Sequence, residues 1–252
     1  MRAAVLLIPG AILLGLAFSG AEGGDDETRP DELDLEPDVQ AGEAQATIRA
    51  MAQALGLDQQ WAAFLEAAAL GESGLNPLMG RGVVQGAPPW AKINIDQGES
   101  RAAQRAYNRN ADALSACGHP AEQYNFGSGG LWAQLPANFL MQFPKGSAER
   151  CMSPWAVFDP PAALAMLLGY FRGCMRRDSF KATPTWGNLR VCMRAPSRMN
   201  RPDEIERQRT GKNKLGDRLE QLGYSRELVD RPVSQSLNMT AAEALAIVQG
   251  VA

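Results

Sequence analysis

Histidine is almost absent from this chain of 252 residues, which contains one, His119. That scarcity argues against a histidine-dependent catalytic triad. His119 precedes Pro120 in a predicted loop, and we assign it no role. The four cysteines also lack the Cys-x-x-Cys spacing of a metal site. We therefore expect neither a bound metal ion nor a cofactor.

Long apolar runs are scarce, and the longest follows Arg2 within residues 1–18. Small residues follow at 19–21, which completes the layout of a secretory signal peptide over residues 1–21. The run is short for a membrane span and is interrupted by Pro9-Gly10, which favours cleavage over an uncleaved anchor. We expect an exported protein, periplasmic or extracellular, with no membrane span after cleavage.

Basic residues are scarce in one segment in particular. The formal net charge is -3, but many of the acidic residues lie in residues 22–43, where Arg29 is the single base. We predict a disordered acidic linker there. The remainder, 44–252, is mildly basic and suits an anionic polymer such as a bacterial cell wall or a nucleic acid. Lys/Arg blocks interleaved with aromatic residues are absent, so we do not expect nucleic-acid binding.

The four cysteines predict two disulfides, because an even number in an exported chain is typical of a disulfide framework. Three pairings are possible. We expect the two that join neighbours in the sequence, Cys117–Cys151 and Cys174–Cys192.

Alternating strand patterns of useful length are absent, and helical periodicity dominates. The sequence therefore predicts a mainly α fold in one domain, 44–252. Capping residues are expected at Asp58, Ser100, Asp159 and Thr240. Loops are expected at 80–98 and 118–130. We predict helices over residues 43–55, 58–70, 100–115, 131–141, 159–177, 185–194, 202–222 and 240–248. Pro136 should kink or split the fourth of these, and Gly211 should interrupt the seventh.

Glu72 is the first candidate for chemistry. It follows the apolar helical run 61–70 and precedes the turn-forming Gly74 and Asn76-Pro77. At the negative end of a buried helix, the dipole and desolvation favour the protonated carboxyl that a general acid requires. The alternative is a solvated residue at the end of an ordinary helix.

Three ordered motifs carry a resemblance to a known family. Glu72-Ser73-Gly74-Leu75-Asn76-Pro77 resembles the catalytic motif of soluble lytic transglycosylases, in the lysozyme-like superfamily. Gly127-Ser128-Gly129-Gly130-Leu131-Trp132-Ala133-Gln134-Leu135-Pro136 is similar to its second motif. Val157-Phe158-Asp159-Pro160 and the helix that ends near Tyr170-Phe171 resemble its third. The resemblance spans residues 66–194, and it implies a lysozyme-like core at 58–195 with a C-terminal helical extension.

The sequence departs from the family pattern at three places. The stretch 78–126 is longer than is usual in the family. Ala133 takes the position of the family's glutamine, so that Gln134 is one place late. The later Tyr-Asn pair is replaced by Val191-Cys192-Met193, and Tyr107 in the insertion is the candidate substitute.

The resemblance implies a peptidoglycan lytic transglycosylase that acts on glycan strands. Glu72 would protonate the β-1,4 bond between N-acetylmuramic acid and N-acetylglucosamine, and then act as a base to give a 1,6-anhydro end. No second carboxylate is required. The implied substrate-binding residues are Ser73, Asn76, Gly129, Gly130, Trp132, Gln134 and Tyr107.

Structural roles compete with several of these assignments. Ser73 is equally suited to bonding backbone, Asn76 to capping its turn, and the two glycines to shaping their loop. Of the aromatic residues Trp132, Tyr124 and Phe126, we expect one to contact a ligand.

Two other functions stay open. A lysozyme-type hydrolase needs a second carboxylate, for which Asp96 and Glu99 are the candidates. A non-catalytic wall-binding module on the same fold is favoured by the missing Tyr-Asn pair and the displaced glutamine.

Overall fold

Helices make up most of the described chain, which confirms the mainly α prediction. The computed structural model describes residues 37–82, 91–124 and 126–250. The predicted signal peptide and the linker up to residue 36 lie outside these residues. The helices are α1 Pro37–Ala54, α2 Gln59–Ser73, α3 Gln97–Leu114, α4 Pro136–Phe139, α5 Pro160–Met175, α6 Asp178–Lys181, α7 Trp186–Arg194, α8 Pro202–Thr210, α9 Leu215–Gln221 and α10 Ala241–Val248. Of the helices in this part of the chain, none is long and apolar enough to cross a membrane.

Side-chain caps fix the starts of several helices. Asp58 accepts hydrogen bonds from the backbone of Gln60 and Trp61, and Thr240 forms a capping box with Glu243. These caps were predicted. The predicted cap at Ser100 is wrong, because α3 begins three residues earlier, where the Asp96 side chain accepts from Gly98 and Glu99.

Two further boundaries differ from the sequence prediction. Helix α1 begins at Pro37, inside the segment 22–43 that was predicted to be a disordered linker. Proline is favoured at the first position of a helix because its fixed φ suits that position. The predicted helix over 131–141 is shorter than expected, since α4 begins at Pro136 and passes into a 3-10 turn after Phe139.

A small sheet lies in the segment that was predicted to be a loop. Strands β1 Met79–Arg81 and β2 Lys92–Asn94 are parallel, with Gly80 opposite Ile93. On its other side, β1 meets the glycine-rich segment 127–130, which we call the glycine loop. The Arg81 amide donates to Ser128 at 2.8 Å, and the Gly130 amide donates to Met79 at 2.9 Å. Strands of three residues are too short to give a period-two pattern in the sequence.

An aromatic cluster joins α2 to α5 and α7. The Trp186 ring centroid lies 4.8 Å from that of Trp61 and 5.0 Å from that of Phe64, and Phe171 lies 5.5 Å from Phe64. All four rings are fully buried. Rings at these distances contribute apolar burial and a favourable geometry, so the cluster fixes α7 beside α2.

Both predicted disulfides are present. Cys117–Cys151 has a Cα–Cα distance of 5.0 Å, and Cys174–Cys192 has one of 6.2 Å. The second bond joins α5 to α7, and so adds a covalent constraint to the packing of α7.

Candidate active site

The end of α2 opens into a cavity of about 400 Å³. This volume falls in the range of small-ligand sites. Its wall contains both polar or charged and apolar side chains. The lining residues are Glu72, Arg81, Glu99, Arg109, Ser128, Trp132, Ala133, Leu135, Asn138, Phe139, Tyr170, Met193, Arg194 and Pro196.

Glu72 reaches this cavity because it lies in the last turn of α2, one residue before the helix ends at Ser73. Gly74 adopts the left-handed conformation with φ of 68°, and its amide donates to the carbonyls of Ala69 and Leu70. Glycine takes this conformation without a steric cost, which is why the helix ends here. The Glu72 side chain is 9% exposed, so it is nearly buried but open to the cavity.

Two arginines of α7 pair with Glu72. Arg190 Nη2 donates to Glu72 Oε1, and Arg194 Nε lies 3.6 Å from the same oxygen. Arg190 is buried with 5% of its side chain exposed, and burial lowers the pKa of its guanidinium while Glu72 opposes that change. Arginine stays charged because its ordinary pKa is so high. A third arginine, Arg81, donates from Nη2 to the backbone carbonyl of Glu72 at 3.2 Å.

This ion pair was not predicted from the sequence. Arg190 and Arg194 are four residues apart and therefore share one face of α7, which is the signal that the sequence does contain. The sequence alone does not say that this face meets the end of α2. That placement depends on the aromatic cluster and on the Cys174–Cys192 bond.

The second motif packs directly against the first. The Ser73 hydroxyl lies 2.9 Å from the Leu131 carbonyl and 3.1 Å from the Ala69 carbonyl. The Trp132 indole donates to the Leu65 carbonyl at 3.0 Å. The structure thus brings α2 together with residues 131–132, which directly follow the glycine loop. It also gives Ser73 the backbone-bonding role that competed with substrate binding.

The two predicted glycines shape the loop and do not line the cavity. Gly129 pairs with Gly80 and with Gln134. At Gly130, φ is +75° and an added Cβ would lie 1.7 Å from the Val157 carbonyl oxygen. This contact also places the third motif against the glycine loop. Ser128 is the member of the loop that faces the cavity.

Gln134 lies in the core, against the prediction that it contacts sugar. Its side chain is fully buried, and Nε2 donates to the Ala163 carbonyl of α5 at 2.7 Å. Its backbone exchanges hydrogen bonds with Gly129 at 2.9 and 3.0 Å, which fixes this segment against the loop. Asn76 is likewise structural, because its Oδ1 accepts from the Leu78 amide at 2.9 Å and caps the turn.

One of the three candidate aromatics faces the cavity, and it is Trp132. Tyr124 is fully buried against Tyr107, with ring centroids 5.0 Å apart, and burial raises the pKa of Tyr124 to about 12. Phe126 stacks on Trp155 at 4.6 Å. The structure therefore places Tyr107 outside the cavity wall, and it does not substitute for the family's tyrosine at Glu72.

A second carboxylate, that of Glu99, lines the same cavity. Glu99 lies in the first turn of α3, beside Gly127, where an added Cβ would lie 2.9 Å from the Glu99 Cβ. Asp96, the other candidate, caps α3 and does not line the cavity. Within the described residues, no group of three His, Cys, Asp or Glu side chains is placed to hold a metal ion.

Tyr170 and Arg109 also belong to the polar wall, and neither was predicted to line it. The Tyr170 hydroxyl donates to the Cys192 carbonyl at 3.1 Å, and burial raises the pKa of this phenol. Arg109 Nη2 lies 3.4 Å from Asn138 Oδ1, which is a weak contact. Both residues lie on helices that the sequence predicted, but their faces could not be assigned without the tertiary packing.

Comparison with known proteins found no match: no protein-family model, no curated protein and no solved structure is similar to this chain. The family resemblance of the three motifs is therefore neither supported nor opposed by these comparisons. The assignment of a function rests on the geometry of the cavity.

Proposed function

We propose that this protein is a peptidoglycan lytic transglycosylase with Glu72 as its single acid/base. The observation that carries the proposal is the convergence of the three motifs and α7 on one cavity, with the Glu72 carboxyl in its wall. A carboxyl at the end of a buried helix, open to a cavity of this size, is a suitable proton donor and acceptor for a glycosidic bond.

The proposed reaction needs two proton transfers at one carboxyl. Glu72 first donates its proton to the oxygen that links N-acetylmuramic acid to N-acetylglucosamine, and the bond from this oxygen to the anomeric carbon breaks. The acetamido group of the substrate stabilises the positive charge that develops. Glu72 then accepts the proton of the muramoyl 6-hydroxyl as its oxygen bonds to the anomeric carbon. The product carries a 1,6-anhydro end, and Glu72 regains its proton.

Arg190 and Arg194 have a defined place in this cycle. Between the two transfers Glu72 is an anion, and the two guanidinium groups stabilise this form. We infer that the two arginines support the base step, in which the carboxylate accepts a proton.

Variants of Glu72 test the proposal. Glu72→Gln removes the titrating group and should lower the rate of sacculus digestion by at least about 100-fold, the usual loss for a general acid/base. Glu72→Asp keeps the charge that Arg190 requires but withdraws the carboxyl by one methylene, and it should lose at least about tenfold. Thermal unfolding of both variants verifies that they are folded. Full activity in a folded Glu72→Gln protein would contradict the proposal.

A lysozyme-type hydrolase is the second candidate, and Glu99 in the same cavity favours it. In that mechanism Glu99 would position water or stabilise the cation. Glu99→Gln separates the two reactions, because it should abolish hydrolysis but leave transglycosylation within about threefold. Asp96→Asn serves as the matched control on the same helix start, since asparagine also caps helices.

A further inference from the structure

Positive charge exceeds negative charge around Glu72. Burial lowers the pKa of the Lys214 ammonium, and repulsion from Arg194, Arg207 and Arg190 lowers it further, whereas Glu72 opposes the change. Lys214 therefore lies near three other cations and one carboxylate. This arrangement leaves a surplus of positive charge that an additional anion would stabilise.

Arg194 is the cation of this group that faces the cavity. Its side chain is 47% exposed, and its Nε lies 3.6 Å from Glu72 Oε1, beyond hydrogen-bond distance. Across the described residues, no hydrogen bond engages its guanidinium. Arg190, by contrast, is buried and already donates to Glu72. Arg194 thus combines a cavity position, partial exposure and available donors.

Two more arginines extend the positive wall. Arg81 and Arg109 also line the cavity, so it holds three guanidinium groups against the carboxylates of Glu72 and Glu99. A guanidinium presents a planar fork of donors that matches a carboxylate. The cavity is therefore suited to a ligand that carries a carboxylate.

We propose that Arg194 binds a carboxylate of the substrate beside Glu72, so that the cavity selects carboxylate-bearing glycans over neutral ones. This inference rests on the proposed function for the identity of the glycan. The muramoyl sugar carries a lactyl ether whose carboxyl group is either free or extended by a peptide with its own carboxylate. A glycan of N-acetylglucosamine alone carries no such group.

Binding of a disaccharide tests the proposal without turnover. The probe is N-acetylglucosaminyl-β-1,4-N-acetylmuramic acid, which lacks the bond that the proposed reaction cleaves, and the comparison is its uncharged lactyl carboxamide. Isothermal titration should give a Kd for the acid that is about tenfold lower than for the carboxamide, and the ratio should fall as salt rises. A third probe with an alanyl-glutamate stem reports whether a stem carboxylate gives the same gain as the lactyl one.

Arg194 variants locate the effect. Arg194→Gln should bind the acid and the carboxamide equally, and Arg194→Lys should keep part of the preference because it retains the charge without the fork. Arg176→Gln is the matched control, since Arg176 is exposed and lies outside the cavity wall, and it should keep the full preference. Thermal unfolding of each variant verifies its fold.

The outcomes separate this inference from the proposed function. Equal binding of acid and carboxamide by the unaltered protein, or an undiminished preference in a folded Arg194→Gln variant, overturns the inference even where sacculi are digested. A preference for the acid that depends on Arg194 supports the anion site even where sacculi are not digested. Failure to digest sacculi would contradict only the proposed reaction.

Discussion

Two buried carboxylates on α2 have contrasting surroundings. Glu66 is fully buried, and Arg49 donates to it from Nε at 2.7 Å and from Nη2 at 2.9 Å. The Tyr224 hydroxyl lies 3.3 Å from both of its oxygens. Glu72, less than two turns further along the helix, opens into the cavity instead. Glu66 therefore provides an internal reference for a carboxylate with a purely structural role.

We expect the two residues to separate stability from activity. Glu66→Gln should lower the free energy of unfolding by about 1–3 kcal/mol, because it weakens a network of buried hydrogen bonds to a charged group. The cost stays below that of a fully buried pair because Arg49 is 54% exposed and can be hydrated. Urea unfolding measures the change, and the folded protein should digest sacculi at an unchanged rate.

The opposite pattern would contradict this assignment. A Glu66→Gln protein with native stability and lost activity would place Glu66 in the reaction and contradict the structural role that its burial indicates. For Glu72→Gln we expect activity to be lost in a protein that still folds.

At the level of elements, the glycine loop holds the site together. It contacts β1 on one side and the third motif on another. The two residues that follow it, Leu131 and Trp132, bond to α2 at Ser73 and Leu65. Gly130 lies at the point of closest approach to Val157. An added methyl group in this loop should therefore be strongly destabilising.

Gly130→Ala and Gly118→Ala form a matched pair that tests this. Both glycines have φ of +75°, but an added Cβ at Gly118 meets nothing within 4 Å. Gly118→Ala should cost about 1–2 kcal/mol of unfolding free energy, the strain of a left-handed alanine. Gly130→Ala should cost at least about 3 kcal/mol, because the backbone must also move away from Val157. Equal costs in urea unfolding would show that the close contact is unimportant.

The elements themselves were largely predictable because their signals are local. Asp58, Asp159 and Thr240 cap helices as expected, and the Cys pairs are the neighbours in the sequence. Failures occurred where two local signals compete or where a signal is too short. Asp96 and Ser100 are both acceptable caps, and the three-residue strands leave no periodic trace.

For the molecule as a whole, the sequence could not predict which faces meet. Glu72, Ser73 and Trp132 were predicted as neighbours through their motifs, and the structure brings them together. Gln134 was predicted to contact the ligand because of its place in the second motif, yet tertiary packing places it against α5. Arg190 lay within a predicted helix, but its pairing with Glu72 depends on contacts between residues 118 positions apart.

The charge distribution of the whole molecule favours one kind of ligand. Residues 44–252 are mildly basic, and the cavity concentrates arginines around Glu72. Both features suit an anionic polymer as the substrate, because such a charge pattern raises the local concentration of anionic strands. The proposed transglycosylase and the proposed carboxylate site therefore agree on the kind of ligand.

The most direct test of the proposed transglycosylase reaction is the chemistry of the glycan ends that the protein makes. Purified sacculi are digested, the soluble products are separated by liquid chromatography, and mass spectrometry distinguishes 1,6-anhydro from reducing muramoyl ends. We expect anhydro ends from the unaltered protein and from Glu99→Gln, and none from Glu72→Gln. Reducing ends that disappear with Glu99→Gln would establish the hydrolase instead, and binding to sacculi without any soluble product would contradict an enzymatic role.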